Sequence, residues 1–179
     1  MRYVMTWANQ GGVPSGVERH CPVLWRELEP RAGQYDWGPV ERALGAQDTP
    51  CHLQIIISMY GPTGLTDYTP AAHRRSLKLT AANGQTGEIP DYANPGWKTA
   101  YQRAVSALAA RYRADPRVAS YQLALGLNQE TQATAITADG TNWHLPARGL
   151  LDEEGYYGFI QATTAAAIAA WGDKPVYVP

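Results

Sequence analysis

Leu53-Gln54-Ile55-Ile56-Ile57-Ser58 is a nearly continuous apolar run rich in β-branched residues. Strands covered on both faces read this way, and such strands belong to parallel sheets with helices on either side. Upstream, Cys21-Pro22-Val23-Leu24-Trp25 reads as a strand, followed by a turn-rich stretch that ends in Gly33-Gln34-Tyr35-Asp36-Trp37. Asp36 is placed to cap a helix whose Trp37, Val40, Ala43 and Leu44 share one face at spacings of three and four. Downstream, residues 59–93 show no periodicity and are punctuated by Gly61-Pro62, Asn83-Gly84 and Pro90, so they read as one long loop.

Asn94-Pro95 then pairs a cap residue with a proline at the first helical position. Trp97, Tyr101, Ala104, Val105, Leu108 and Tyr112 mark the buried face of the helix that follows, and Asp115-Pro116 ends it. Residues 118–125 read as another strand, running into Gly126-Leu127-Asn128-Gln129-Glu130. After a second irregular segment, Asp152 is placed to cap a last helix carrying Tyr156, Phe159, Ile160, Thr163, Ala167 and Trp171. Glu153 and Glu154 suit the positive N-terminal end of that helix. Strands near 21, 53, 118 and 175, with a further partner at 3–7, alternate with helices and describe βαβ units. Eight such units in roughly 250 residues make a (β/α)8 barrel. The chain therefore reads as a single α/β domain over 1–179, a parallel TIM-barrel type truncated after about the first five strands.

Composition narrows the partners. The 179 residues carry 15 Lys plus Arg against 16 Asp plus Glu, for a net charge of −1. That balance leaves no electrostatic footprint for nucleic acid or an acidic membrane surface. No run reaches the roughly 18 apolar residues of a bilayer span, and the first residues lack the pattern of a signal peptide, which leaves the cytoplasm as the default compartment. Two cysteines, Cys21 and Cys51, are too few for a disulfide scaffold and read as reduced, partly buried thiols. The four histidines, His20, His52, His73 and His144, have no metal-ligand spacing, and no nucleotide fingerprint or nucleophile elbow occurs, so neither a metal nor a cofactor is implied. Six Trp and 11 Tyr against one Phe favour a cleft where ring faces meet a hydroxylated ligand.

In sheets of this kind sites gather at the carboxyl ends of strands. Asn128, Glu130 and Gln132 emerge at the end of the 118–125 strand, where a carboxyl held neutral by its surroundings can protonate a leaving oxygen. Trp143, Tyr60 and Tyr68 lie on strand-end loops, where their rings can stack on a sugar. Trp25, Trp97 and Trp171 fall at core positions and read as packing. Glu27 and Glu29, two apart beside Arg26, are expected on one face of an extended segment as a structural ion pair. His73-Arg74-Arg75 with Lys78 is expected to be a solvated loop face.

Trp25-Arg26-Glu27-Leu28-Glu29-Pro30 with Gly33-Gln34-Tyr35-Asp36-Trp37 resembles the W-x-x-L-E-P…G-x-Y-D-W passage around the second strand of family 42-type β-galactosidases and related clan A glycoside hydrolases. Pro90-Asp91-Tyr92, Asn94-Pro95-Gly96-Trp97, Tyr101, Arg111-Tyr112 and Asp115-Pro116-Arg117-Val118 are similar to the third helix and fourth strand of those barrels. The resemblance implies retaining hydrolysis of O-glycosidic bonds of a carbohydrate substrate, with Glu130 as general acid/base. It also implies Asn128 beside the sugar 2-hydroxyl, and Trp143, Tyr60 and Gln132, by their places at strand ends, are expected as further substrate contacts. The second carboxylate of such enzymes, about 5 to 5.5 Å from the first, comes from the seventh strand. No residue of a chain ending after the fifth strand supplies it, so the 179 residues are expected to be inactive by themselves. The clan has Asn and Glu adjacent, whereas Gln129 intervenes here, and that departure motivates the alternative of a non-catalytic carbohydrate-binding or degenerate barrel.

Overall fold

The Leu53 run forms the centre of a parallel sheet. In this computed structural model, residues 6–7, 19–45, 49–61, 64–80, 86–126 and 153–178 are described. Strand β1 is Thr6–Trp7, β2 is Arg19–Leu24 and β3 is Cys51–Ile56, the last buried at every position. After them β8 (Val118–Gln122) and β9 (Val176–Tyr177) complete a five-stranded sheet in the order β1-β2-β3-β8-β9, every pair parallel. Neighbours in this sheet are thus successive among its own strands, as a run of βαβ units lays them down. Among the described residues the sheet is open, with β1 and β9 at its margins.

Register sorts the strand residues into two faces, because side chains alternate along each strand. Pairing sets Cys21 opposite Leu53 and Leu53 opposite Tyr121, and these, with Val23 and Ile55, enter the apolar core. The opposite face carries His20, His52, Gln54 and Ser120, all buried. There the His20 Nε2–H donates to Gln54 Oε1 at 2.7 Å, and His52 Nδ1 bonds to Ser120 Oγ. The His52 ring also meets Tyr177 edge-on at 5.7 Å. One face of the wall is therefore apolar, and the other carries the bonded pairs His20–Gln54 and His52–Ser120, while Gln122 Oε1 finds no partner among the described residues.

The polar layer makes stability depend on pH. Burial pushes the His20 imidazole below its ordinary value, and the nearby His52 adds to the shift against the opposing Gln54 bond. The unfolded chain takes up a proton near pH 6.5 while the folded chain resists it, so this contribution is present above about pH 6.5 and declines as the pH falls toward the lowered folded value. The denaturant midpoint is expected to drop between pH 7.5 and 5.5, and to drop less in His20→Gln. Parallel declines in the two proteins would remove His20 from the account.

Helices cover the apolar face. The chain leaves β2 into α1 (Trp25–Leu28), and α2 (Gly38–Leu44) follows. Asp36 does not cap α2. Its Oδ1 accepts from the Gly38 N–H at 2.8 Å as a local turn, and Trp37 occupies the cap position. Helix α3 (Pro95–Tyr112) begins as its sequence requires, with Asn94 Oδ1 accepting from the Trp97 N–H at 3.0 Å. Its expected apolar face, from Trp97 to Tyr112, is buried. Helix α4 (Glu153–Trp171) packs on α3, where Gln102 donates to Thr163 Oγ1 at 3.2 Å, and Trp171 stacks on Tyr121 at 4.9 Å. Both cysteines are free and buried. Among the described residues no helix is long and apolar enough to cross a membrane.

Residues 59–93 are not one structureless loop. They hold two antiparallel hairpins, β4 (Ser58–Gly61) with β5 (Gly64–Asp67), and β6 (Ser76–Thr80) with β7 (Thr86–Pro90). Strands this short carry too little alternation to read as a pattern. The Asn83-Gly84 pair between β6 and β7 was the hairpin signal. Pro90 is tolerated because it ends its strand.

Candidate functional site

The carboxyl ends of parallel strands share one rim, and two connections that leave it are locked together by a buried carboxylate. Where β2 ends, α1 turns the chain so that Trp25 and Glu29 lie four residues apart on one helical turn, and the Trp25 indole N–H donates to Glu29 Oε2 at 2.8 Å. Glu29 Oε1 accepts from the Gly33 N–H at 2.7 Å and from His73 Nε2 at 3.0 Å. Gly33 has φ of 71°, a conformation that leaves glycine little competition at this turn. His73 in turn stacks on Trp25 at 5.9 Å. Glu29 is only 1% exposed and both oxygens are engaged, so it works as an anchor between the β2 and β3 connections.

Two expectations fail here. Glu27 is exposed and Glu29 buried, because residues 25–28 are helical and do not share the period-two geometry of a strand. Arg26 pairs with neither; its guanidinium sits over the Tyr68 ring at 4.7 Å, and its N–H donates to Tyr68 O at 2.9 Å. The basic 73–78 segment is only partly solvated. Arg75 and Lys78 are exposed, but His73 holds Glu29, and Arg74 Nη2 donates to the carbonyls of Asp67 and Thr69 at 3.2 Å each.

Beside this anchor lies Asp67, at the end of β5. Its Oδ1 accepts from the Thr69 N–H at 2.8 Å and its Oδ2 from the Ser76 hydroxyl at 2.6 Å. Burial nonetheless raises the Asp67 carboxyl above its ordinary value, against the pull of those bonds. Thr69 passes the connection on to α3, since the Trp97 indole N–H donates to Thr69 Oγ1 at 2.9 Å. An aromatic cluster fills the space beneath: Trp97 stacks on Tyr101 at 5.5 Å and meets Trp25 edge-on at 5.6 Å, Tyr92 at 5.4 Å and Phe159 at 5.6 Å. The rim thus rests on a rigid platform drawn from α1, α3, α4 and the β3–α3 connection.

Of the residues singled out in the sequence, Asn128, Glu130, Gln132 and Trp143 lie outside the described residues. Tyr60 falls within β4, with its side chain outside the description. Tyr68 is 8% exposed and covered by Arg26, so it belongs to the platform. Trp25, Trp97 and Trp171 are core residues, as their positions required. Glu29 stood in the sequence as the glutamate of the Trp25–Pro30 motif, whereas His73 and Asp67 had no functional signature there. The spacing of four between Trp25 and Glu29 was the one local cue, and nothing in the order of residues linked either to His73. A cavity of about 550 Å³ beside Arg113, Trp171 and Lys174 sits near the starts of β8 and β9, at the other end of the sheet.

No protein-family model matches the chain, and neither does any curated protein. Among solved structures, the exo-β-1,4-mannosidase Op5Man5 from Opitutaceae bacterium strain TAV5 matches 91% of this chain and 25% of its own, with a TM-score of 0.60 at 12% identity. The β-galactosidase from the psychrophilic Marinomonas ef1 matches 68% of this chain and 21% of its own, with a TM-score of 0.45 at 17% identity. The chain spans about a quarter or less of the length of these proteins. Together with the five successive parallel strands, the first likeness gives the chain an α/β fold of TIM-barrel type.

Proposed function

We propose that the chain is part of a glycoside hydrolase barrel that performs retaining hydrolysis of O-glycosidic bonds, β-galactosidase-like in its motifs, with Glu130 as the proton donor. The observation that carries this reading is the sheet itself. Five parallel strands succeed one another in chain order, so their carboxyl ends form one rim, and Glu130 follows in sequence four residues after the described exit of β8 at Gly126. The motifs around Trp25-Arg26-Glu27-Leu28-Glu29-Pro30 fall at the same rim, where Glu29 ties two connections together.

In this mechanism the neutral Glu130 carboxyl protonates the leaving glycosidic oxygen while a second carboxylate, about 5 to 5.5 Å away, attacks the anomeric carbon. Water then hydrolyses the glycosyl-enzyme, with Glu130 acting as base. Asn128 binds the 2-hydroxyl, Gln132 bonds to the sugar, and Trp143 and Tyr60 stack on it. The nucleophile, a second glutamate, is missing from these 179 residues. No cofactor takes part.

The test is Glu130→Gln in the full-length polypeptide. Turnover of alkyl glycosides, whose leaving group needs a proton, is expected to fall about 10²- to 10⁴-fold, with a much smaller loss on activated aryl glycosides. Equal loss on both classes overturns the acid role. The interruption of the expected Asn-Glu pair by Gln129 favours one rival, a binding barrel without chemistry. Glycan binding that survives Glu130→Gln, with no turnover by the full-length protein, would establish it.

A further inference from the structure

Helices α3 and α4 end side by side at the foot of the sheet, away from the rim. Helix α3 closes on Arg113, and α4 closes on Trp171, after which Gly172, with φ of 62°, turns the chain toward β9. The two helix ends enclose the cavity of about 550 Å³, lined by Arg113, Ala114, Trp171, Gly172, Asp173 and Lys174. Its volume lies within the roughly 300–1,000 Å³ of small-molecule sites and far exceeds what an inorganic ion fills.

The wall holds donors that the fold leaves unused. Trp171 is 1% exposed and its ring is stacked on Tyr121, yet its indole N–H has no acceptor among the described residues. A buried N–H without an acceptor is uncommon in a folded chain. Lys174 Nζ donates to Asp115 O at 3.2 Å and to Val118 O, which leaves one of its three N–H groups. The acids beside Arg113 are already taken, Asp115 by Arg117 at 2.7 Å, and Glu41 by Arg117 at 3.0 Å and the Tyr112 hydroxyl at 2.9 Å. Among the described residues the Arg113 guanidinium therefore pairs with no carboxylate.

Two cations face one anion, Asp173, in this wall. Arg113, Lys174 and Trp171 suit an oxyanion, which bonds most strongly to charged donors. The carbonyl ends of the two helices oppose an anion, and the Lys174 ammonium already offsets that at α3 by binding Asp115 O. The Asp173 carboxylate only accepts, so it suits a hydroxyl. We propose that this cavity is a second ligand site, for a hydroxylated molecule of monosaccharide size that carries one carboxylate or phosphate. It lies at the opposite end of the sheet from the rim, so it stands independently of the role given to Glu130.

The test is calorimetric titration of the full-length protein with glucuronate and with glucose 6-phosphate, beside glucose and inorganic phosphate. One of the two anionic sugars is expected to bind, and which one does so identifies the oxyanion. Glucose, which lacks the oxyanion, and inorganic phosphate, which lacks the hydroxylated body, are expected to bind more weakly. Arg113→Glu is expected to weaken the anionic sugar about tenfold or more. Arg103→Glu makes the same charge change at an exposed position of the same helix outside the cavity, and is expected to leave the affinity unchanged. Arg113 is exposed, so its substitution spares the core. No binding of either anionic sugar overturns the site, and equal affinity in Arg113→Glu and the parent places the binding elsewhere and overturns it too. Glucose matching glucuronate overturns the oxyanion, and inorganic phosphate matching glucose 6-phosphate overturns the hydroxylated body.

Discussion

Trp97→Ala is expected to destabilise the fold by about 3–5 kcal/mol, the range for emptying a large aromatic site in a packed core. Trp97 is 1% exposed and touches rings from three other parts of the chain: Trp25 of α1, Tyr92 before α3, and Phe159 of α4. Its removal opens a cavity that none of these rings can close without leaving its own contacts. It also strips Thr69 Oγ1 of its indole donor, which loosens the connection that Asp67 and Arg74 hold. At about 2–4 °C per kcal/mol for a chain of this size, the melting temperature should fall by roughly 6–20 °C. Trp97→Phe keeps much of the volume and loses the hydrogen bond, so its cost should be clearly smaller. A loss below about 1 kcal/mol for Trp97→Ala in equilibrium urea unfolding would show that the cluster is not a keystone of the core.

Glu29→Ala is expected to cost about 3 kcal/mol or more, for a different reason. Three donors converge on this carboxylate: the Trp25 indole N–H, the Gly33 N–H and His73 Nε2. Each donor left unsatisfied in a buried site costs about 1–3 kcal/mol, and alanine leaves all three without an acceptor. Glu29→Gln retains one acceptor oxygen and should cost less than Glu29→Ala. The pair Glu29 and His73 is also suited to a double-mutant cycle, because the two side chains are in direct contact. A coupling energy near zero would mean that His73 is merely adjacent, and the β2 and β3 connections would not be joined through it.

Several parts of the fold were legible in the sequence because their cause is local. The Leu53 run had to be a strand buried on both sides, since few other environments accept so many β-branched residues in succession. Asn94-Pro95 had to start a helix, and the spacing from Trp97 to Tyr112 had to face a core. The parallel alternation of strands and helices followed from those elements.

Of the candidate site, the rim of strand ends was readable, because sites in such sheets collect where strands finish. Its supports were not. Glu29 meets His73 across 44 residues, Ser58 meets Gly126 across 68, and Tyr156 meets Leu125 across 31. No periodicity or propensity encodes such pairings. The two hairpins within residues 59–93 were hidden for a related reason, since strands of four or five residues are held by their partners more than by their own pattern.

The sequence by itself determined the strands of the parallel sheet and the helices α2, α3 and α4, with the apolar face of each helix, because burial periodicity and capping act over a few residues. Only the tertiary structure decided that the second face of the sheet carries bonded polar pairs, that Glu29 is an anchor between two connections rather than the ion-pair partner of Arg26, and that hydroxyls of Tyr101, Tyr156 and Ser58 meet the carbonyls where β8 ends. Each of these is a choice of partner for a buried polar group, and that partner is fixed by how distant elements pack together.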